Sequence, residues 1–519
     1  MTKRRKKLLI SSGVLVLLLI SGYFIAQRII VSKIEGFLKT SLPSAVSVEY
    51  KDLDVNLLIG SLKVDLASIT YTGETTGKLN ALVELEKMEV NGVKYLDYLF
   101  SGNVHIGEIL LKQPQITYNH DKNIPSEEYR SSKVLQLNNS IRVENILVTE
   151  GKLKIIDRAT DSLIMKTDDF NFDINDIQLN NKTIKTKIPV LFENYQLSFG
   201  NLFFKVGDYE NIEISQVEIN TGKSILRDLK LYTKYNKQEL SRIIPVERDH
   251  FNLNCPLIEL NSLDLGFVQD SMFYFKCPKI TFNEPDLKVF RDKLVHDDLK
   301  TKKLYGTLLR NLPFHLNVDS LQINKGSIRY TEKVKAENNG GTVHFSNFNL
   351  SVQNLSNTYV SPVKTTIQVT SEFMGTAPLQ ANWSFDVNDR SDAFMFHANI
   401  GKLPANNMNQ FIEPNLGKRV EGDLLNTVFT IHGNPYTSSV DMGIKYRDFD
   451  VIALRKDGKR KNKVLSNAIN VFVDNDSGSN SNSLREVQVK EVERDQTKSV
   501  FNFIWKNVKA GLLKAMVKE

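Results

Sequence analysis

"LNVDSLQINKGSIRY" (Leu316–Tyr330) repeats a phrase written earlier in the chain, "IRVENILVTEGKLKI" (Ile141–Ile155). Val318, Leu321, Ile323, Gly326, Ile328 and Tyr330 fall on Val143, Ile146, Val148, Gly151, Leu153 and Ile155, always at an offset of 175 residues. Within each phrase apolar and polar residues alternate, the period of a strand with one dry and one wet face. The likeness continues into "DDFNFDINDIQL", where Phe170, Phe172 and Ile174 share a face. Its counterpart is "GGTVHFSNFNLSVQNL", where Phe348, Leu350 and Val352 do the same and the offset has grown to 178. A duplicated β unit of about forty residues with a three-residue loop insertion explains the pattern, against chance likeness among alternating strands.

Each copy slips phase once. Phe314, Leu316 and Val318 alternate, then Leu321 and Ile323 take over on the opposite parity. Such a slip turns every later side chain to the other face unless a bulge or bend absorbs it. The pattern predicts bulges near Glu144–Asn145 and Asp319–Ser320, with turns into the next strands at Gly151 and Gly326.

The same texture begins at Val46 with "VSVEY", "SLKVDLASITY" and "NVHIGEILLKQPQITY", which predicts a mainly β protein. At 519 residues, 41% hydrophobic and 24% charged, the chain is long enough for several domains or one long sheet, and reads as folded. Helix is scarce. Candidates are "EVNGVKYLDYLFSG", ended by Gly102, "QELSRII" near 238–244, "LKTKKLYGTLLRNL" near 299–312, and "LPANNMNQFIE" at 403–413, stopped by Pro414. The last is the amphipathic "QTKSVFNFIWKNVKAGLLKAMVKE", with Phe501, Ile504, Trp505, Val508, Leu512 and Met516 in one stripe.

Ahead of the strands lies "LLISSGVLVLLLISGYFIA" (Leu8–Ala26), free of charge and preceded by Lys3, Arg4, Arg5, Lys6 and Lys7. As a helix it is roughly 28 Å long, enough to cross a bilayer core, with the cations on the cytoplasmic side. A cleaved signal peptide is the alternative, weakened by Phe24 where a small residue is wanted. The order expected is a cytoplasmic tail (1–7), a transmembrane anchor (8–26), a juxtamembrane helix (27–45) and a β-rich region (46–300). A second β-rich region with the repeat (301–495) and the closing helix (496–519) complete it. The tail supplies five of the seven net positive charges, so the nearly neutral body excludes a dedicated nucleic-acid surface.

No catalytic or cofactor motif is present, so neither an enzyme nor a cofactor is expected. "VHDDLK" around His296, Asp297 and Asp298 lacks companion metal ligands and reads as a solvated turn. Asp474, Asp476 and Gly478 resemble a calcium loop whose glycine comes one position early and which no glutamate closes; a linker fits better. Cys255 and Cys277, each followed by proline, either pair in an oxidising compartment or sit as two small buried hydrophobes. Two features could meet a membrane. The hairpin around Arg455, Lys456, Lys459, Arg460, Lys461 and Lys463 suits anionic head groups, unless it is a charged tip that keeps the protein soluble. The closing helix could lie in an interface through Phe501, Trp505 and Leu512, unless its stripe covers a sheet end.

"ANIGKLPANNMNQFIEPNLGKRVEGDLLNTVFTIHGNP" (Ala398–Pro435) followed by "GIKYRDFDVIAL" resembles the C-terminal region of AsmA-like bacterial envelope proteins. "GSLKVDLASITYTG", "GNVHIGEILLKQPQITY", the N-terminal anchor and "KSVFNFIWKNVKAGLLKAM" are similar to other parts of the same family. The resemblance implies an inner-membrane-anchored protein with its body in the periplasm, no catalytic residue, and kinship with bridge-like lipid transfer proteins. It further implies a long, twisted, curved antiparallel sheet forming an apolar groove or taco-like half-barrel. Its partners would be a phospholipid or other envelope lipid, the inner membrane and other envelope proteins, in outer-membrane biogenesis. Phe170, Phe172, Ile174, Phe348, Leu350 and Val352 are the candidate groove lining; a conventional sandwich core would use the same residues. A structural or regulatory envelope protein with such a closed core, acting by protein contacts, is the competing function.

Overall fold

A computed structural model describes residues 3–40, 42, 44–73, 76–94, 103–121, 123–124, 140–269, 271–455, 461, 474–477 and 484–517. The chain divides into two compact units, Met1–Lys205 with Ile214–Thr221, and Val206–Glu213 with Gly222–Glu519. One copy of the repeat lies in each unit. The expected short helix that ends at Gly102 falls largely outside the described residues.

The first unit opens with one uninterrupted helix, α1 (Lys3–Thr40). It continues with β1 (Val46–Glu49), β2 (Asp52–Asn56), β3 (Ser61–Thr72), β4 (Leu79–Asn91), β5 (Val104–Lys112), β6 (Gln115–His120), β7 (Ile141–Asp157), β8 (Ser162–Leu179) and β9 (Asn194–Lys205). Then come β10 (Glu210–Asn220), β11 (Lys223–Thr233), α2 (Lys237–Ile243), β12 (Asp249–Asn261), β13 (Asp264–Val268), β14 (Met272–Asn283) and β15 (Asp286–Asp292). The rest is α3 (Tyr305–Arg310), β16 (His315–Lys333), β17 (Gly341–Ser356), β18 (Thr365–Phe373), β19 (Ala377–Phe385), β20 (Phe394–Ile400), β21 (Leu403–Pro404), α4 (Asn409–Leu416), β22 (Lys418–Gly433), β23 (Thr437–Ala453), β24 (Arg485–Glu493) and α5 (Val500–Met516). The protein is therefore mainly β, as the alternation requires.

The expected antiparallel sheet needs correction at two places. β5 and β6 both run parallel to β7, and β14 and β15 both run parallel to β16. Alternation reports faces and is blind to direction. Parallel neighbours need a long return connection, which residues 293–314 supply in the second unit. In each unit the two short strands form one run bent at a proline. Gln113 (φ 49°) precedes Pro114 and Glu284 (φ 52°) precedes Pro285, where a missing N–H costs no ladder bond.

The two copies share their irregularities. In β7–β8, Val143 faces Ile177, Ile146 faces Ile174, Val148 faces Phe172 and Gly151 faces Phe170. In β16–β17, Val318 faces Leu355, Leu321 faces Val352, Ile323 faces Leu350 and Gly326 faces Phe348. Apolar residues stay opposite apolar residues through the phase slip, which is the arrangement that stabilises a strand pair. The predicted bulges at Glu144–Asn145 and Asp319–Ser320 do not form, because the register there is unshifted on both sides. Instead one strand of each pair carries left-handed backbone, Asp176 (φ 54°) in β8 and Asn354 (φ 58°) in β17, opposite Glu144 and Asp319. Nor do Gly151 and Gly326 begin new strands. They sit inside β7 and β16 at register shifts, each next to a left-handed residue, Glu150 and Lys325. The same side-chain bond closes each bulge: Asn171 Oδ1 accepts from Glu150 N, and Asn349 Oδ1 from Lys325 N, both at 2.9 Å.

Helices are shorter or longer than their signals. α2 is set by a capping box between Asn236 and Glu239. α3 keeps only six residues of the stretch expected at 299–312. α4 runs through Pro414 instead of stopping there, and ends at left-handed Gly417, whose N–H reaches Glu413 O at 3.0 Å. Proline removes a single helical donor, which one terminal turn tolerates.

Dry core concentrates at the C-terminal end of the second unit. There α5 lays Val500, Phe503, Asn507, Gly511 and Ala515 against β23 and β24, over a cluster that includes Trp383, Phe429, Ile431, Val440 and Met442. Ile431, Val440, Ile444 and Tyr446 are fully buried. The buried face of α5 is rotated from the expected stripe, leaving Phe501 and Trp505 exposed.

Candidate functional site

The six candidate lining residues fall into two matching sites. In the first unit Phe170 and Ile174 are buried and Phe172 is half-buried. Ile174 packs with Val143 and Ile177, and Phe172, Ile106, Ile146, Val190 and Tyr195 surround them. The ring of Phe170 lies over Gly151, so close that a Cβ there would stand 2.4 Å from Cε1. In the second unit Val352 is buried, while Phe348 and Leu350 are half-buried. Each unit thus brings its three residues onto one face, beside apolar partners and with no ionisable group among the core members.

The structure also exposes apolar residues that the periodicity did not single out. Leu265, Phe267, Val268, Met272 and Phe273 make both faces of the β13–β14 hairpin apolar and partly open to solvent. Leu58 and Ile59 protrude from the β2–β3 turn. The available signal was an apolar pair in a turn, where polar residues are the rule.

Cys255 and Cys277 are both free and buried. Each thiol donates to backbone carbonyls instead, Cys277 Sγ to Asn261 O and Lys279 O at 3.3 Å, and burial pushes both thiols up. The expected alternative of two buried small residues is the one this structure adopts. Asp297 hydrogen-bonds Lys498, and Asp298 hydrogen-bonds Lys302; those bonds hold both carboxyls below the usual range. Lys498 also lies 3.3 Å from the buried Glu247, tying the start of α5 to this loop. Asp474 pairs with Arg485. Among the described residues no group of three or more His, Cys, Asp or Glu could hold a metal ion.

Of the basic hairpin, Arg455 is exposed and Lys461 bridges Leu454; Lys456, Lys459, Arg460 and Lys463 lie outside the described residues. On α5, Phe501 and Trp505 are exposed and Leu512 is half-buried against the core. The helix therefore packs on strands with one face and presents two aromatic residues with another. Among the described residues α1 contains a stretch, Val16–Gly36, long and apolar enough to cross a membrane, which overlaps the expected anchor at 8–26. No family model and no curated protein matches this chain.

Proposed function

We propose that this protein is a non-enzymatic, membrane-anchored lipid-handling protein whose repeated strands offer acyl chains an apolar face. The reading is supported above all by the half-buried state of Phe172, Phe348 and Leu350, apolar residues aligned on one face of each copy and not fully sealed. On this reading α1 holds the chain in the inner membrane with its N-terminus in the cytoplasm. The body stands in the periplasm and passes phospholipid or a related lipid toward outer-membrane assembly along a groove in the curved sheet, as in AsmA-like proteins. The sealed core under α5 favours a second reading, a structural envelope protein acting by protein contacts. Purification of the whole chain in mild detergent, followed by mass spectrometry of extracted lipid, tests the first. Stoichiometric acyl lipid, reduced several-fold by Phe172→Glu with Leu350→Glu, is expected. Lipid retained equally by that variant, or none beyond an annulus, sinks the groove reading and leaves the structural one.

A further inference from the structure

We infer that the β2–β3 turn, Leu57–Gly60, is a second membrane contact that dips into the bilayer beside α1. The inference rests on the reading of α1 as a membrane span, and its occupant is lipid.

The direction of the chain carries the argument. α1 ends at Thr40 and β1 begins at Val46, so the strand starts beside the C-terminal end of the helix. β1 and β2 both pair antiparallel with β3, from Val46 opposite Tyr71 to Asn56 opposite Ser61, so they run as one line in one direction. That line returns along α1. By Val55 it has reached Gln27, whose side-chain amide donates to Val55 O at 2.8 Å. The turn continues past this bond for three or four more residues, up to about 10 Å of extended chain. Because those residues turn, about half of that reach is used, roughly three residues of helix, which brings the tip to the level of Phe24, inside the charge-free run Leu8–Ala26.

The tip is built for that place. Leu58 is 81% exposed and Ile59 68%, beside a buried Val55. A soluble turn would put polar residues there. The backbone is also prepared for a dry setting, since Asn56 Oδ1 accepts from Leu58 N at 3.1 Å and from Ile59 N at 3.4 Å. Gly60 holds a left-handed φ of 67°, and a Cβ there would stand 2.7 Å from Val93 O, so the shape of the turn is fixed by its own unit. Two contacts, helix and tip, would set the orientation of the first unit on the membrane, which a single helix leaves free to rotate.

The test uses the full chain in vesicles of phosphatidylcholine and phosphatidylglycerol. Leu58→Cys and, separately, Leu19→Cys carry an environment-sensitive fluorophore; the native thiols, at 1% and 0% exposure, are shielded from labelling in the folded protein. Quenchers are a lipid with a nitroxide near its head group, one with a deep nitroxide, and aqueous iodide. The expected result is deep quenching at position 19 and shallow lipid quenching at position 58, with iodide quenching at 58 reduced at least threefold from the unfolded chain. Position 19 quenched by lipid with position 58 quenched only by iodide overturns the tip and leaves the anchor standing. Position 58 shielded from lipid and iodide alike means protein covers it, which also overturns the inference. Position 19 untouched by lipid removes the anchor and the inference together.

Discussion

At the scale of single residues, Gly151 and Tyr330 show how far local chemistry decides stability. Gly151→Ala drives a methyl to 2.4 Å from the Phe170 ring, whereas Gly326→Ala meets its nearest atom at 3.1 Å. Overpacking of this kind costs about 1–3 kcal/mol. Gly151→Ala should therefore be the more destabilising change in denaturant titrations, and Phe170→Ala should relieve it; additive losses in the double variant would refute the ring contact. Tyr330 ends the repeated phrase, and its hydroxyl donates to Glu332 at 2.9 Å. Burial, reinforced by the Glu332 charge, pushes its ionisation above the ordinary tyrosine value. A raised folded value means the contribution is complete below about pH 10, the unfolded value, and is lost as pH climbs beyond it. Tyr330→Phe should flatten the alkaline decline of stability by as much as about 1.4 kcal/mol per pH unit above pH 10. An unchanged slope in that variant would place the alkaline loss elsewhere.

At the scale of elements, α5 separates packing from exposure. Asn507 is fully buried; its Oδ1 accepts from Ser438 Oγ and its Nδ2 donates to Phe503 O, both at 2.9 Å. Asn507→Ala removes both bonds, leaves Ser438 Oγ only its longer 3.4 Å bond to Val492 O, and should cost about 1–3 kcal/mol in thermal or denaturant unfolding. Trp505→Ser, which loses only an edge contact with the Phe411 ring, should cost less, about 1 kcal/mol or below. If Trp505→Ser proves the costlier change, the helix is seated differently from the arrangement described. The kinks of the repeat belong to this scale too. A phase slip in one strand demands a bulge, but a slip shared by both partners keeps their register, which is why the predicted bulges at Glu144 and Asp319 are absent.

At the scale of the whole molecule, apolar burial is uneven within the chain. Strands β22 and β23 are interleaved with 0%-exposed residues, while β7 and β8 carry many half-buried ones. Hydrogen exchange should follow this difference, with amides of β22–β23 at least tenfold slower than those of β7–β8. Uniform protection across both would argue that the repeated strands are as sealed as the C-terminal core, and would weaken the lipid reading.

What the sequence determined by itself was whatever repeats locally. The two-residue period specified strands, the charge-free run specified an apolar helix of membrane length, and the matched phrases specified a duplicated strand pair. These signals reside in neighbouring residues, so one chain is enough to read them. Strand direction, the distance between Cys255 and Cys277, and the covering of each apolar face depend on residues far apart in sequence. Alternation is identical for parallel and antiparallel neighbours and for an open or a closed sheet, so tertiary structure alone decided those. The exposed pair Leu58 and Ile59 belongs with them, since only the tertiary bond from Gln27 to Val55 O brings the strand before that turn against α1.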